Sequence, residues 1–257
     1  MVLKVENLSF SYDKKEILRN LNFSLDSGET LGILGKNGIG KSTFLKIVLG
    51  ILKTNRGKIL IDNNDISLLD NKSRAKLTGY VPQSEKIAFS FKVKDMILMG
   101  INANIGIFQR PSKSDKKRVE EVSDIVGVRD FLNLDVDELS GGMLQLVLIA
   151  RSLVLNPKIL IMDEPTSYLD VFHQNAILNL IKRLNTEYKM CIIFTSHYPD
   201  HTLAVADKTL LLNGIDGYKF GNTREILTDR NLSELFNIDF INLDIENKSR
   251  LLPKWSV

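Results

Sequence analysis

An apolar run, Leu31-Gly32-Ile33-Leu34, passes directly into Gly35-Lys36-Asn37-Gly38-Ile39-Gly40-Lys41-Ser42 and from there into Thr43-Phe44-Leu45-Lys46-Ile47-Val48-Leu49, which stops near Gly50. The first stretch reads as a buried strand and the last as a helix. A strand that enters a glycine loop and leaves it through a helix opens a βα unit, so an α/β fold around a parallel sheet is expected.

The loop fits the pattern G-x-x-x-x-G-K-[ST] in full. Several consecutive backbone N–H groups must turn inward around phosphate oxygens in such a loop, and a Cβ at Gly38 or Gly40 would obstruct that curvature. The following helix adds its positive end. Lys41 then reaches the outer phosphates as a point charge, and the Ser42 hydroxyl is placed to ligate Mg²⁺.

A second apolar strand, Lys158-Ile159-Leu160-Ile161-Met162, ends in Asp163-Glu164-Pro165. Ligands of parallel α/β sheets sit outside the carboxyl ends of the strands. Asp163 is therefore expected to approach the metal through a coordinated water, and Glu164 to orient and polarise an attacking water. A solvated acidic turn is the competing reading, and the phosphate loop in the same chain weighs against it.

Further elements stand in a fixed order: Tyr12, the loop from Gly35 to Ser42, Gln83 in Tyr80-Val81-Pro82-Gln83, Leu139-Ser140-Gly141-Gly142, Asp163-Glu164, Ser167-Tyr168-Leu169-Asp170, and His197 in Thr195-Ser196-His197. In these residues the chain resembles an ATP-binding cassette ATPase, the nucleotide-binding subunit of ABC transporters, over nearly its whole length. The resemblance implies a P-loop NTPase core with a parallel sheet, an N-terminal antiparallel β layer and an inserted α-helical subdomain at about 84–155, all in one cassette spanning 1–257.

The resemblance also implies roles. ATP would be bound by Tyr12, by Gly35, Lys36, Asn37, Gly38, Ile39, Gly40, Lys41, Ser42 and Thr43, and by Ser140, Gly141 and Gly142. Tyr12 would stack on adenine, a contact worth about 1–3 kcal/mol. It is equally a packed strand aromatic, since Leu8, Phe10 and Tyr12 alternate with polar Asn7, Ser9 and Ser11, and the two readings coexist. Glu164, His197 and Gln83 form the catalytic set, with His197 sensing the γ-phosphate. Ser42, Gln83 and Asp163 face Mg²⁺. A metal pair of His197 with His201 is disfavoured because Pro199 lies between them.

Ser140, Gly141 and Gly142 set this pattern apart from a one-chain enzyme. A serine hydroxyl, glycine N–H groups and a helix N-terminus make an anion site, and the resemblance assigns it to ATP held by a second copy of the cassette. Two copies would then pair head to tail around two nucleotides, with Ser167 and Asp170 linking the sites. The sequence departs from the family at Met143, where glutamine is usual, and at Tyr168, where a small residue is common. Gln145 follows two positions after Met143. Both departures bear on the closed pair rather than on the phosphate contacts.

With 44% hydrophobic and 25% charged residues in 257, the chain has the composition of an ordinary globular protein. Net charge is +3, too small to indicate nucleic acid, and no basic groove with interleaved aromatics is present. The basic stretch from Arg110 to Arg118 contains Ser112-x-x-Asp115, a capping-box pattern, ahead of Val119, Val122, Ile125 and Val126 on one helical face and then Gly127. Cys191, the single cysteine, lies in the apolar run Met190 to Phe194 and reads as a buried strand thiol. Neither a signal peptide nor a stretch of about 20 apolar residues is found. A cytoplasmic protein is expected, peripheral on the inner membrane face through integral permease subunits.

Residues 1–26 alternate as two strands about Asp13-Lys14-Lys15, and Lys58 to Asp62 adds another. The runs at 30–34, 158–162 and 190–195 are continuously apolar, as in a sheet covered on both faces. Directly after Gln83 come Ile87, Phe89, Phe91, Val93, Met96, Ile97 and Met99, read mostly as core and partly as the groove that receives a permease helix. The segments Phe91 to Gly100, Leu139 to Leu153 and Ala206 to Phe236 resemble the importer branch that takes up iron siderophores, haem, cobalamin and molybdate, served indirectly by a substrate-binding protein. The alternative class is a soluble ABC ATPase acting on ribosomes or DNA, but paired cassettes, coiled-coil insertions and basic arms are missing. Residues 241–257 show no period or motif, and Trp255 is open to packing on the body or on a second chain.

Overall fold

The computed structural model describes residues 1–83, 90–101, 111–245 and 248–254. Strands β1 (Leu3–Tyr12) and β2 (Lys15–Leu25) pair antiparallel, followed by β3 (Thr30–Leu34) and helix α1 (Lys41–Val48). Next come β4 (Arg56–Ile61), the short β5 (Asn64–Asp65), α2 (Asn71–Leu77) and β6 (Thr78–Val81). Helices α3 (Val93–Leu98), α4 (Lys113–Val126) and α5 (Gly141–Leu153) lead to β7 (Ile159–Met162), α6 (Val171–Tyr188) and β8 (Cys191–Ser196). The chain continues through α7 (Pro199–Val205), β9 (Lys208–Leu212), β10 (Tyr218–Asn222), α8 (Thr223–Ile226), α9 (Asp229–Phe236), β11 (Phe240–Ile245) and β12 (Lys248–Pro253).

Two main sheets result. The order β2-β1-β4-β5 is antiparallel, and the order β10-β9-β3-β8-β7-β6 is parallel apart from its edge strand β10. Continuous apolar runs make physical sense here because each central strand feeds two cores. Ile159 and Ile161 of β7 and Cys191 and Ile193 of β8 face the antiparallel sheet and α1. Leu160, Met162, Ile192 and Phe194, the alternate residues, face α3, α4, α5 and α6. Each fully buried Leu or Ile in these layers contributes roughly 1.5–3 kcal/mol relative to exposure.

The helical stretch is therefore joined to the sheet by one continuous apolar cluster running from Val93 to Val154 and on to Val81 and Leu160. Helix α4 starts and stops as its sequence dictates. Ser112 accepts from Asp115 N–H, the Asp115 side chain accepts from Ser112 N–H, and Gly127 ends the helix at φ 84°. Val119, Val122 and Val126 are buried and Ile125 is partly so. Val93, Met96 and Ile97 are core, whereas Met99 is exposed. Ile87, Phe89, Arg110 and Trp255 lie outside the described residues.

The C-terminal stretch, featureless in sequence, contains the hairpin β11–β12. Phe240 and Leu251 anchor it on Leu227, Leu232 and Leu235. The Leu251 N–H donates to Asp200 at the start of α7 (3.2 Å).

Candidate functional site

Parallel strands end on the same edge of a sheet. The ends of β3, β6, β7 and β8 accordingly bring Gly35, Gln83, Asp163 with Glu164, and His197 to one edge, although these residues are spread over most of the chain. The register is continuous across them: Val81 pairs with Met162, and Met162 with Phe194.

The glycine loop takes its shape from two different constraints. Gly38 (φ 74°) has open space where a Cβ would stand, so conformation alone demands glycine there. Gly40 (φ 116°) is also tightly packed, because a Cβ would come 2.8 Å from Ile17 on β2. Only the second of the two glycines is sterically crowded, a refinement of the sequence reading. The same β1–β2 hairpin carries Tyr12, whose ring is 44% exposed and meets Phe10 edge-on at 4.8 Å. Strand packing thus leaves nearly half of Tyr12 free.

Lys41 is buried, and its Nζ donates to the carbonyls of Gly35 (2.8 Å) and Lys36 (3.3 Å). Burial lowers its pKa, while the nearby carboxylates of Glu164 and Asp163 act to raise it. An ammonium has three protons to donate, so the loop holds a desolvated cation with capacity for anionic oxygens. Ser42 is exposed, Thr43 and Lys36 are partly buried, and Asn37 is exposed.

Glu164 occupies the centre of the edge. Its Oε2 accepts from Gln83 Nε2 (2.7 Å) and Ser167 Oγ (3.0 Å), and its Oε1 is paired with His197 Nε2. Glu164 is a non-glycine residue at φ 48°. Asp163 beside it is buried and accepts from Thr195 Oγ1 at 2.6 Å. The hydroxyl of Ser42, the carboxylate of Asp163 and the amide oxygen of Gln83 are hard oxygen donors of the kind that suit Mg²⁺. His201 is held elsewhere, with Nδ1 3.1 Å from Thr166 Oγ1, and burial lowers its pKa. Among the described residues no cluster of three or more His, Cys, Asp or Glu side chains is placed to hold a metal ion.

The Leu139-to-Gly142 element opens helix α5. Ser140 caps α5 by accepting from Met143 N–H (3.3 Å), and both Ser140 and Gly141 are exposed. Among the described residues, no hydrogen bond joins them to the loop from Gly35 to Ser42. Gln145 is buried, so it does not replace the amide missing at Met143. Gly142 is tight: a Cβ there would fall 2.1 Å from His173 on α6. His173 is in turn fixed by Asp170, which accepts its N–H at 2.8 Å. Tyr168 is almost fully exposed at φ 63°.

Sequence reasoning quoted Thr195 and passed over His173. Thr195 carried a signal, namely a hydroxyl in an otherwise apolar buried strand, which has to find partners. His173 carried none, since its contact crosses between helices.

A family model described as ABC transporter matches residues 18–167. This chain belongs to the ABC transporter family. The cassette is an ATPase. It is 37% identical to the molybdate import ATP-binding protein MolC of Haemophilus influenzae, over 96% of this chain and 92% of that protein. A solved inward-facing structure described as a metal-chelate type ABC transporter superposes on the cassette with a TM-score of 0.88 and 35% identity, covering 99% of this chain and 97% of that one. An ATP-binding cassette solved as a dimer in a post-hydrolysis state with ADP and Pi gives a TM-score of 0.73 at 28% identity, over 86% and 99% of the two chains. Among the described residues no helix of the cassette is long and apolar enough to cross a membrane.

Proposed function

We propose that this ATPase powers an ABC importer, closing on ATP as a homodimer to drive uptake of a metal chelate or metal oxyanion of the iron-siderophore, haem, cobalamin or molybdate type. It would do so from the cytoplasmic membrane face through permease subunits fed by a substrate-binding protein. The names of the molybdate relative and the metal-chelate neighbour support the substrate class. We take 1–257 as one cassette, with about 84–155 as its helical subdomain and 241–257 as a C-terminal extension.

The observation that carries the reading is the exposed start of helix α5, which among the described residues makes no hydrogen bond to the phosphate loop. Glu164, Gln83 and His197 are bonded together at the sheet edge, while Ser140 and Gly141 present an exposed helix N-terminus with no bond to the phosphate loop. A second copy brings that N-terminus to the γ-phosphate. The backbone N–H groups of Gly35 to Thr43 and the Lys41 ammonium hold the phosphates, and Tyr12 covers the base. Glu164 orients and polarises the attacking water, His197 senses the γ-phosphate, and Gln83 reports occupancy to the helical subdomain. Ser42, Gln83 and, through water, Asp163 would hold Mg²⁺, which would supply charge neutralisation at the phosphate oxygens. Ser167 and Asp170 lie on the turn that joins one site to the other.

Sedimentation of Glu164→Gln with ATP tests pairing, and a species twice the monomer mass is expected. Cross-linked pull-down of the native protein tests the setting. Recovery of a hydrophobic permease supports import, whereas recovery of ribosomes or DNA, or a strictly monomeric Glu164→Gln, overturns the proposal.

A further inference from the structure

Strands β7 and β8 end their ladder with Met162 beside Phe194. One residue further on, Thr195 is fully buried, and its hydroxyl makes two bonds. It donates to Asp163 Oδ1 at 2.6 Å and accepts the Glu164 N–H at 2.8 Å. A hydroxyl has one proton to give and lone pairs to receive. This one donates a hydrogen bond to the first acid and accepts one from the backbone N–H of the second.

Neither bond belongs to the strand ladder. The preceding positions of β8, Ile192, Ile193 and Phe194, fill the cores on both faces of the sheet with hydrocarbon, and valine at 195 would match the volume of threonine. Burying a hydroxyl is costly unless it is bonded, and here all of its bonding serves the two acids. Glu164 also needs the help, because φ 48° is uncommon for a side chain of its kind. The bond to its N–H closes the turn in which the carboxylate reaches Gln83, Ser167 and His197.

We infer that Thr195 is a positioning residue of the hydrolytic site: its hydroxyl sets the separation between the metal-side acid Asp163 and the water-side acid Glu164. The inference rests on the roles proposed above for those two acids. Thr195→Val keeps the shape and removes both bonds, whereas Thr195→Ser keeps the bonds.

The test compares both variants in ATP hydrolysis and in Mn²⁺ binding with ADP, followed by electron paramagnetic resonance. A mis-set general base costs on the order of 10²-fold, so Thr195→Val is expected to lose about 10- to 100-fold in kcat with KM for ATP within about twofold. Mn²⁺ affinity should weaken by about 10-fold, as for lost outer-shell partners. Thr195→Ser should retain at least about half of both, since both hydrogen bonds survive. Wild-type kcat and Mn²⁺ affinity in Thr195→Val would overturn the inference, as would equal losses in the two variants. Should Thr195→Val not fold, Thr195→Ala provides the hydroxyl-free comparison. Glu164→Gln separates the two levels of argument. If it hydrolyses ATP normally, the proposed site roles fail; if it is impaired while Thr195→Val is intact, only the positioning role fails.

Discussion

Gln83 Nε2 donates to Glu164 Oε2 at 2.7 Å, joining residues 81 positions apart. Gln83 follows β6 directly, at the entrance to the helical region. The carboxylate proposed to orient the attacking water is thereby tied to the residue that leads into the region proposed to move a docked permease helix. Gln83→Ala is expected to lower kcat by about 10-fold, the scale of a lost orienting contact, and to abolish stimulation of hydrolysis by transported substrate. Steady-state kinetics of the assembled transporter check this. Unchanged substrate-stimulated hydrolysis and transport would mean that the contact couples nothing.

The N-terminus of α5 rests on α6 through Gly142 and His173. An added methyl would overlap the His173 ring, and the ring cannot retreat freely because Asp170 holds both its N–H and its Nδ1 (2.9 Å). Gly142→Ala is expected to cost about 1–3 kcal/mol, as other overpacked sites do. Adding His173→Ala should recover most of that loss, since the three atoms nearest the added methyl all belong to His173. Urea unfolding of the two variants measures it. A Gly142→Ala midpoint equal to wild type would show that the helices part easily.

Cys191 is fully buried, and burial pushes its thiol from 9.0 up to about 12. The fold thus favours the protonated form. Below pH 9 both states are protonated and the group is neutral in its effect. Above it the unfolded thiol ionises first, and stability falls by about 1.4 kcal/mol per pH unit until the folded pKa near 12. Cys191→Ala should remove this part of the alkaline slope, although it costs packing at every pH. Guanidinium unfolding of both proteins between pH 8 and about 10, the range in which the unfolded thiol ionises, gives the comparison. Parallel slopes would contradict it. Native-state alkylation should be slow throughout, because the thiolate is the reactive species.

Strands β3, β7 and β8 were legible because residues buried on two faces must be apolar at every position, and α4 because its capping box and glycine stop are local. The phosphate loop was legible because its residue types and spacing follow from phosphate chemistry, whereas Gln83 and His197 were singled out by resemblance alone. The β11–β12 hairpin was not. Its anchors, Phe240 and Leu251, are sparse and answer to Leu227, Leu232 and Leu235 rather than to each other.

By itself, then, the amino-acid order determined the glycine loop, the doubly buried strands β3, β7 and β8 and the bounds of α4, since short-range sterics and side-chain type suffice for these. Tertiary structure alone decided that Gln83, Ser167 and His197 all converge on Glu164, that Thr195 bridges the two acids, and that Gly142 is braced by His173. Those contacts cross between strands and helices distant in sequence. Their lengths depend on sheet register and helix packing, quantities that no local pattern encodes.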